Sequence, residues 1–170
     1  SLEGARVLTR LFREGLCEKY YIGLCEGVMK NVRHWQDRLV REKTEKITRR
    51  ASTGGKGKDA STLVTPLSWV KGRTLCLFTI TTGRTHQIRA HAALNNHPLT
   101  GDTKYGGPSI PGGYLLHSAA IRFPGRTHVT GKQFIHAPLP DSFLKRIAGL
   151  LDKNAVRIAL KKLEDIFPDG

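Results

Sequence analysis

Between residues 75 and 94 a strand has to pass into a helix with almost no connecting chain. Leu75-Cys76-Leu77-Phe78-Thr79-Ile80-Thr81 is apolar, β-branched and aromatic, the pattern of a buried strand. Arg84 to Leu94 holds neither Gly nor Pro and reads as a helix, which puts Gly83 at a sharp strand-to-helix turn. The block Gly83-Arg84-Thr85-His86-Gln87-Ile88-Arg89-Ala90-His91 therefore sets several polar groups at a helix start. Free backbone N–H groups and the positive end of the helix dipole lie there. With Arg84, His86 and Arg89 beside them, the expectation is a site for an anion such as a nucleic-acid phosphate.

The rest of the chain supplies elements for one core around that turn. Leu2, Ala5, Leu8, Leu11 and Phe12 recur at helical spacing, with Arg6, Arg10 and Arg13 on another face, so the first element is an amphipathic helix. Residues 19–27 read as a strand, in which the adjacent Tyr20 and Tyr21 must point to opposite sides. Residues 30–50 read as a charged segment, either a solvated face or, as the overall charge favours, a contact for a nucleic-acid backbone, and residues 52–59 as a Gly- and Lys-rich connection. Strands near 60–70 and 73–81 form a hairpin across Lys71-Gly72, with Pro66 at an edge or bulge. A polar loop over 95–107, a strand over 114–123 and a short strand at Phe134-Ile135-His136 follow. Helices carry Phe143, Leu144, Ile147 and Leu150, then Val156, Ile158, Leu160, Leu163 and Ile166. The expected fold is α+β, a mixed and largely antiparallel sheet flanked by helices.

Charge narrows the partner. The chain has 28 Lys and Arg against 14 Asp and Glu, a formal net charge of +14 in 170 residues, which points to a polyanion. A hydrophobic content of 39% supports a packed core rather than a disordered basic chain. No stretch approaches a membrane span, and residues 1–15 lack a signal-peptide pattern. Cys17, Cys25 and Cys76 form no C-x-x-C pair, which fits reduced thiols in a cytoplasmic protein. His86 and His91 sit about 140° apart around a helix of 3.6 residues per turn, so with His97 they make a poor metal set.

Four motifs then occur in order: Gly83 to Arg89, Gly101-Asp102-Thr103-Lys104-Tyr105-Gly106, Leu115-Leu116-His117 and Ala137-Pro138-Leu139-Pro140. Together with Glu18-Lys19-Tyr20-Tyr21 (E-K-x-Y) and Gly57-Lys58-Asp59-Ala60-Ser61-Thr62 (G-K-x-A-x-T), this order resembles the RluA-type RNA pseudouridine synthases. The resemblance implies a pseudouridine synthase catalytic domain over residues 1–150, lacking its N-terminal part, and a helical extension over residues 151–170. It implies isomerisation of uridine to pseudouridine in RNA, ribosomal RNA being the expected target, with no cofactor, no metal and no membrane; the oligomeric state is not legible.

By motif position Tyr21 is expected to stack on the target base, an interaction typically worth about 1–3 kcal/mol, and to assist proton transfer. Arg89 is expected to hold the nucleophilic aspartate ionised. Arg84, Thr85, His86 and Gln87 are the expected RNA contacts; Gly83, Asp102 and Tyr105 are expected to support the site, Asp102 by holding a turn. His117 is expected to be a satisfied buried histidine, and His128 and His136 have no motif.

One element of the family pattern is missing. The nucleophile lies in an H-R-L-D-x-x-T-S-G segment, and none of Asp37, Asp59, Asp102 and Asp141 occupies such a position. The expectation is a portion of a longer synthase, inactive by itself. Two other readings are a non-catalytic RNA-binding module on the same fold and a metal-dependent hydrolase using the histidines. A buried arginine deprived of its carboxylate is costly, so Arg89 is expected either in an opened cleft or paired to another anion.

Overall fold

The structure, a computed structural model, describes residues 2–42, 44, 46–50, 55–125 and 134–167. Helix α1 (Leu2–Arg13) precedes β1 (Glu18–Glu26), β2 (Arg33–Glu42), β3 (Ile47–Arg50), β4 (Lys58–Val70) and β5 (Arg73–Ile80). After α2 (Gln87–Leu94) and a single 3-10 turn (Thr103–Tyr105) come β6 (Leu116–Arg122), β7 (Phe134–His136), α3 (Asp141–Leu150) and α4 (Lys153–Ile166). The seven strands form one sheet in the order β3-β2-β4-β5-β1-β6-β7, and every neighbouring pair is antiparallel. No helix among the described residues is long and apolar enough to cross a membrane.

Both sides of the sheet centre are covered, and strand alternation decides which residue goes where. Tyr20, Ile22 and Leu24 of β1 with Leu75 and Leu77 of β5 pack against Phe143 and Ile147 of α3 and Ala155, Ala159 and Leu163 of α4. The intervening Cys25, Cys76, Phe78 and Ile80 pack against Ile88 and Ala92 of α2. These strands therefore read as nearly continuous apolar runs rather than alternating ones.

Residues 30–50 correct the sequence expectation: the charged segment folds as β2 and β3, an antiparallel pair at the sheet margin. Its inward row is Trp35, Asp37 and Leu39, so a charge interrupts the apolar alternation, and Arg50 Nε compensates it by donating to Asp37 Oδ1 at 2.6 Å. Pro66 lies at a bulge in the β4–β5 pairing. Although β4 is interior, β2 pairs with it only as far as Val64, so the missing N–H of Pro66 leaves no ladder bond unmade. His117 also differs from expectation. It is half-buried, its ring 6.0 Å from that of Phe143, and His128 lies outside the described residues.

Because α4 buries Ala155, Ala159 and Leu163 in the same cluster as the central strands, shortening one of those side chains should loosen the whole sheet. Leu163→Ala is expected to lower stability by about 2–5 kcal/mol. Urea denaturation read by circular dichroism checks this, as a fall in midpoint at unchanged slope.

Candidate active site

On the α2 side of the sheet lies a cleft of roughly 580 Å³. Tyr21 of β1 and Arg89 of α2 both line it, with Gly83 and Arg84 from the connecting turn and Tyr114 and Leu116 from the approach to β6. Tyr20 faces the other way, 6% exposed, with its ring edge-on to Phe134 and Phe167 and its hydroxyl donating to Glu18 Oε2 at 2.6 Å. Burial and the Glu18 carboxylate push the Tyr20 phenol up to about 12, which suits a packed group rather than a reacting one.

Arg89 is 9% exposed and Asp102 1% exposed. Nε and Nη2 of the arginine donate to Oδ2 and Oδ1 of the aspartate, each at 2.7 Å, a bidentate pair. The guanidinium carbon also lies over two rings, 4.7 Å from the centroid of Tyr105 and 4.4 Å from that of Tyr114. The Asp102 hydrogen bonds raise the arginine's pKa further against the opposing effect of burial, so the cation is fixed. The carboxylate that relieves Arg89 is thus one from within the chain. Asp102 takes the Nε–Nη2 edge, and the Nη1 edge is the one that remains for a second anion.

The turn before α2 differs from expectation. The helix starts at Gln87, not Arg84, because His86 adopts a left-handed conformation with φ 55°. For a residue other than glycine that costs on the order of 1–3 kcal/mol unless the surroundings hold it. Here Tyr105 does: its hydroxyl bonds His86 Nδ1 at 3.1 Å and accepts from the Thr48 N–H at 2.7 Å. Two amides expected to be free at a helix start are used internally, since Gln87 N–H donates to Arg84 O and Arg84 N–H donates to Gln87 Oε1.

Gln87, grouped by sequence with the RNA contacts, is 2% exposed and ties the turn to β4. Its amide nitrogen donates to Ser61 O and Thr62 Oγ1, while Oε1 accepts from the Thr82 hydroxyl. Thr85 is exposed and its carbonyl accepts from Thr48 Oγ1; Arg84 Nε donates to Asp59 O. Gly83 needs no left-handed backbone; a Cβ there would stand 3.9 Å from Lys19 Cε. Asp102 does not hold its turn through the side chain. Its backbone does so, with Tyr105 N–H and Gly107 N–H donating to Asp102 O, which releases the carboxylate for Arg89.

Lys19 and Tyr114 are among the cleft residues that sequence reasoning did not assign to the site. Lys19 is 9% exposed and donates from Nζ to Thr81 O at 3.0 Å; burial lowers its pKa. Its position two residues before Tyr21 is the signal that could have found it, since i and i+2 share a strand face. Tyr114 sits outside the matched motifs and gave no signal. The histidines diverge: His91 is fully buried with Nδ1 bonded to the Thr62 hydroxyl, His86 packs on Tyr105, and His97 Nδ1 bonds Glu26 O.

Comparison with known proteins adds to this geometry. Residues 1–94 match the family described as RNA pseudouridylate synthase. Over 117 residues the chain is 36% identical to an uncharacterized RNA pseudouridine synthase of Helicobacter pylori, covering 68% of this chain and 48% of that one. It is 31% identical over 156 residues to ribosomal large subunit pseudouridine synthase C of Vibrio vulnificus, covering 85% of this chain and 48% of that one. The structure of human RNA pseudouridylate synthase domain containing 1 superposes with TM-score 0.66 at 26% identity, covering 82% of this chain and 60% of that one. The chain spans about half the length of the curated relatives it matches.

Two outcomes follow from the site's electrostatics. Asp102→Asn should strand the Arg89 cation and lower stability by about 3–5 kcal/mol, whereas Arg89→Met combined with Asp102→Leu should lose much less; thermal or urea unfolding of the three proteins checks it. Burial lowers the pKa of His91, with Asp37 opposing and Arg50 assisting, and burial followed by Arg89 lowers that of His86. An unfolded histidine then binds a proton that the folded one refuses, so their contribution to stability should fall as pH drops through the ordinary value of 6.5. Ring-proton NMR should show both imidazoles titrating below that pH.

Proposed function

The chain belongs to the RNA pseudouridylate synthase family, of the RluA type, and from that premise we propose that the protein it represents isomerises specific uridines in RNA, most naturally ribosomal RNA, to pseudouridine. The observation that carries this reading is the convergence of Tyr21 and Arg89 on one cleft of nucleotide-accommodating size, lined also by Arg13, Lys19 and Arg84. In the reaction the glycosidic C1′–N1 bond breaks, the base turns, a C1′–C5 bond forms, and the proton lost from C5 is balanced by one gained at N1. No redox partner is required.

Tyr21 supplies a flat face for a base taken out of its stack, and its hydroxyl is the group available to assist the C5 proton transfer. Arg89, already pinned by Asp102, offers its remaining edge to the nucleophilic carboxylate and keeps that carboxylate ionised. Asp102 is itself unsuited to attack, because both of its oxygens are bonded to Arg89 behind the cleft. Buried free thiols at Cys17, Cys25 and Cys76 support a cytoplasmic setting for this chemistry.

The 170-residue chain alone is expected to form no pseudouridine on uridine-containing RNA, and a protein extended upstream through an H-R-L-D aspartate is expected to do so. In that longer protein Tyr21→Phe should reduce kcat by about 10²–10⁴, the usual contribution of a positioned proton-transfer group. Nucleoside composition of the digested RNA is the measurement. Turnover by the 170-residue chain would overturn the reading, because another nucleophile would then have to exist within it.

A further inference from the structure

Beside the cleft, and sharing Gly83 and Arg84 with it, runs a second depression of roughly 270 Å³. Arg41, Lys56 and Lys58 line it together with Leu39. Strand register explains why these cations gather there. Lys58 opposes Leu39 in the β2–β4 pair, and Leu39 and Ala60 bury against Ala90 of α2. Lys58, two residues before Ala60, and Arg41, two residues after Leu39, therefore leave the sheet on the α2 side, where both are exposed.

Pairing separates these residues from their neighbours. On the same hairpin Arg38, Arg49 and Arg50 each meet a carboxylate, from Asp59, Glu42 and Asp37 respectively. Among the described residues Arg41, Lys56, Lys58 and Arg84 form no ion pair, and no Asp or Glu lines the depression. Arg84 anchors its Nε on Asp59 O, a neutral carbonyl, which fixes the side chain without cancelling its charge. Four uncompensated cations around one trough form a binding surface for a linear polyanion. Gly83, with no side chain, forms the low rim between trough and cleft.

We infer that this trough holds the phosphate backbone of single-stranded RNA next to the nucleotide that enters the cleft, the second half resting on the function proposed above. A strand whose base is turned into the cleft must carry its neighbouring phosphates across the rim. The cations stand on that side, and the spacing between Arg41 and Lys58 is set by the paired strands β2 and β4.

The test uses the 170-residue chain with fluorescein-labelled ten-nucleotide oligo(U) and oligo(C), and a ten-residue poly-glutamate peptide, each titrated over a range of NaCl. Arg41→Gln with Lys58→Gln should weaken both oligonucleotides about tenfold or more, as expected for loss of two charge-assisted contacts. The slope of log K against log salt should shrink by about 0.7 for each phosphate contact removed. The charge-keeping pair Arg41→Lys with Lys58→Arg should restore most of the binding. Arg157→Gln with Lys161→Gln on α4 serves as the equal-charge control and should change little.

Oligo(C) has no target base, so its loss of binding reports on the trough even if no pseudouridine is ever formed. Failure of the proposed function would instead appear as trough-dependent binding without product from the upstream-extended protein. Unchanged affinity and slope in the Arg41→Gln, Lys58→Gln protein would overturn the inference, as would an equal loss in the α4 control or poly-glutamate binding as tightly as RNA.

Discussion

Side chains leave a strand alternately on its two sides, and on β1 and β5 both sides are covered by helices. That alternation positions the cleft. Tyr20, Ile22 and Leu24 must enter the layer under α3 and α4, so Lys19 and Tyr21 have to emerge on the layer under α2. A one-residue slip would exchange the two tyrosines and bury a cation among aromatic rings. The contacts of Tyr20 with Phe134, Phe167 and Glu18, on the side away from the site, consequently fix the identity of the tyrosine in the cleft. The β1–β6 register shift falls opposite these same residues with Ala119 of β6 as the extra residue, so the irregularity is taken up by β6 and β1 keeps its alternation.

The Arg89–Asp102 pair does a similar thing for charge. A guanidinium this buried is tolerable only with a partner, and a partner able to turn away would leave the cation free to swing. Asp102 cannot turn away. It is preceded by Gly101, whose φ of 92° and close approach to Gly113 O exclude a side chain, and it is followed by the Thr103–Tyr105 turn closed on its own carbonyl. Arg146 of α3 donates to the same Gly113 carbonyl, so the back-layer helix also steadies the loop that leads into Tyr114. The two ring contacts of Arg89 therefore join three segments distant in sequence, at Arg89, Tyr105 and Tyr114.

Much of this was legible in the sequence, for identifiable reasons. The long apolar runs gave the central strands, the Pro140-Asp141 start gave α3, and the ordered motifs gave the cleft's two principal residues. Strands β2 and β3 were not legible because their buried row carries Asp37, which Arg50 neutralises from the next strand; a charge that is solvated and one that is paired look alike in sequence. The start of α2 was misplaced because Arg84 and Thr85 suit a helix, while the left-handed His86 is stabilised by the hydroxyl of Tyr105, 19 residues away. Gln87 was misjudged for the same reason: an amide beside recognition residues looks available until its partners on β4 are known.

Net charge alone would spread a positive field over the whole molecule, and it is the placement of the carboxylates that gives the field a direction. Glu26 neutralises Arg73 at the far end of β1, Asp37 neutralises Arg50 at the sheet margin, and Asp102 neutralises Arg89 at the base of the cleft. Glu14 meets Arg10 on α1, yet Arg13, one turn nearer the cleft, lines it. Among the described cations without a carboxylate partner, five stand around Gly83: Arg84 on the turn, Arg41 and Lys58 on one side, Arg13 and Lys19 on the other. In a recess with low-dielectric walls such charges act over a longer range than on open surface, which is the field that the proposed RNA strand would meet. The same field works inside the site, because after burial it is Arg89, Lys104 and Arg41 that lower the pKa of the His86 imidazole, with Asp102 opposing. The imidazole these cations act on is the one whose Nδ1 bonds the Tyr105 hydroxyl, so the field around Gly83 and the left-handed turn meet at a single residue.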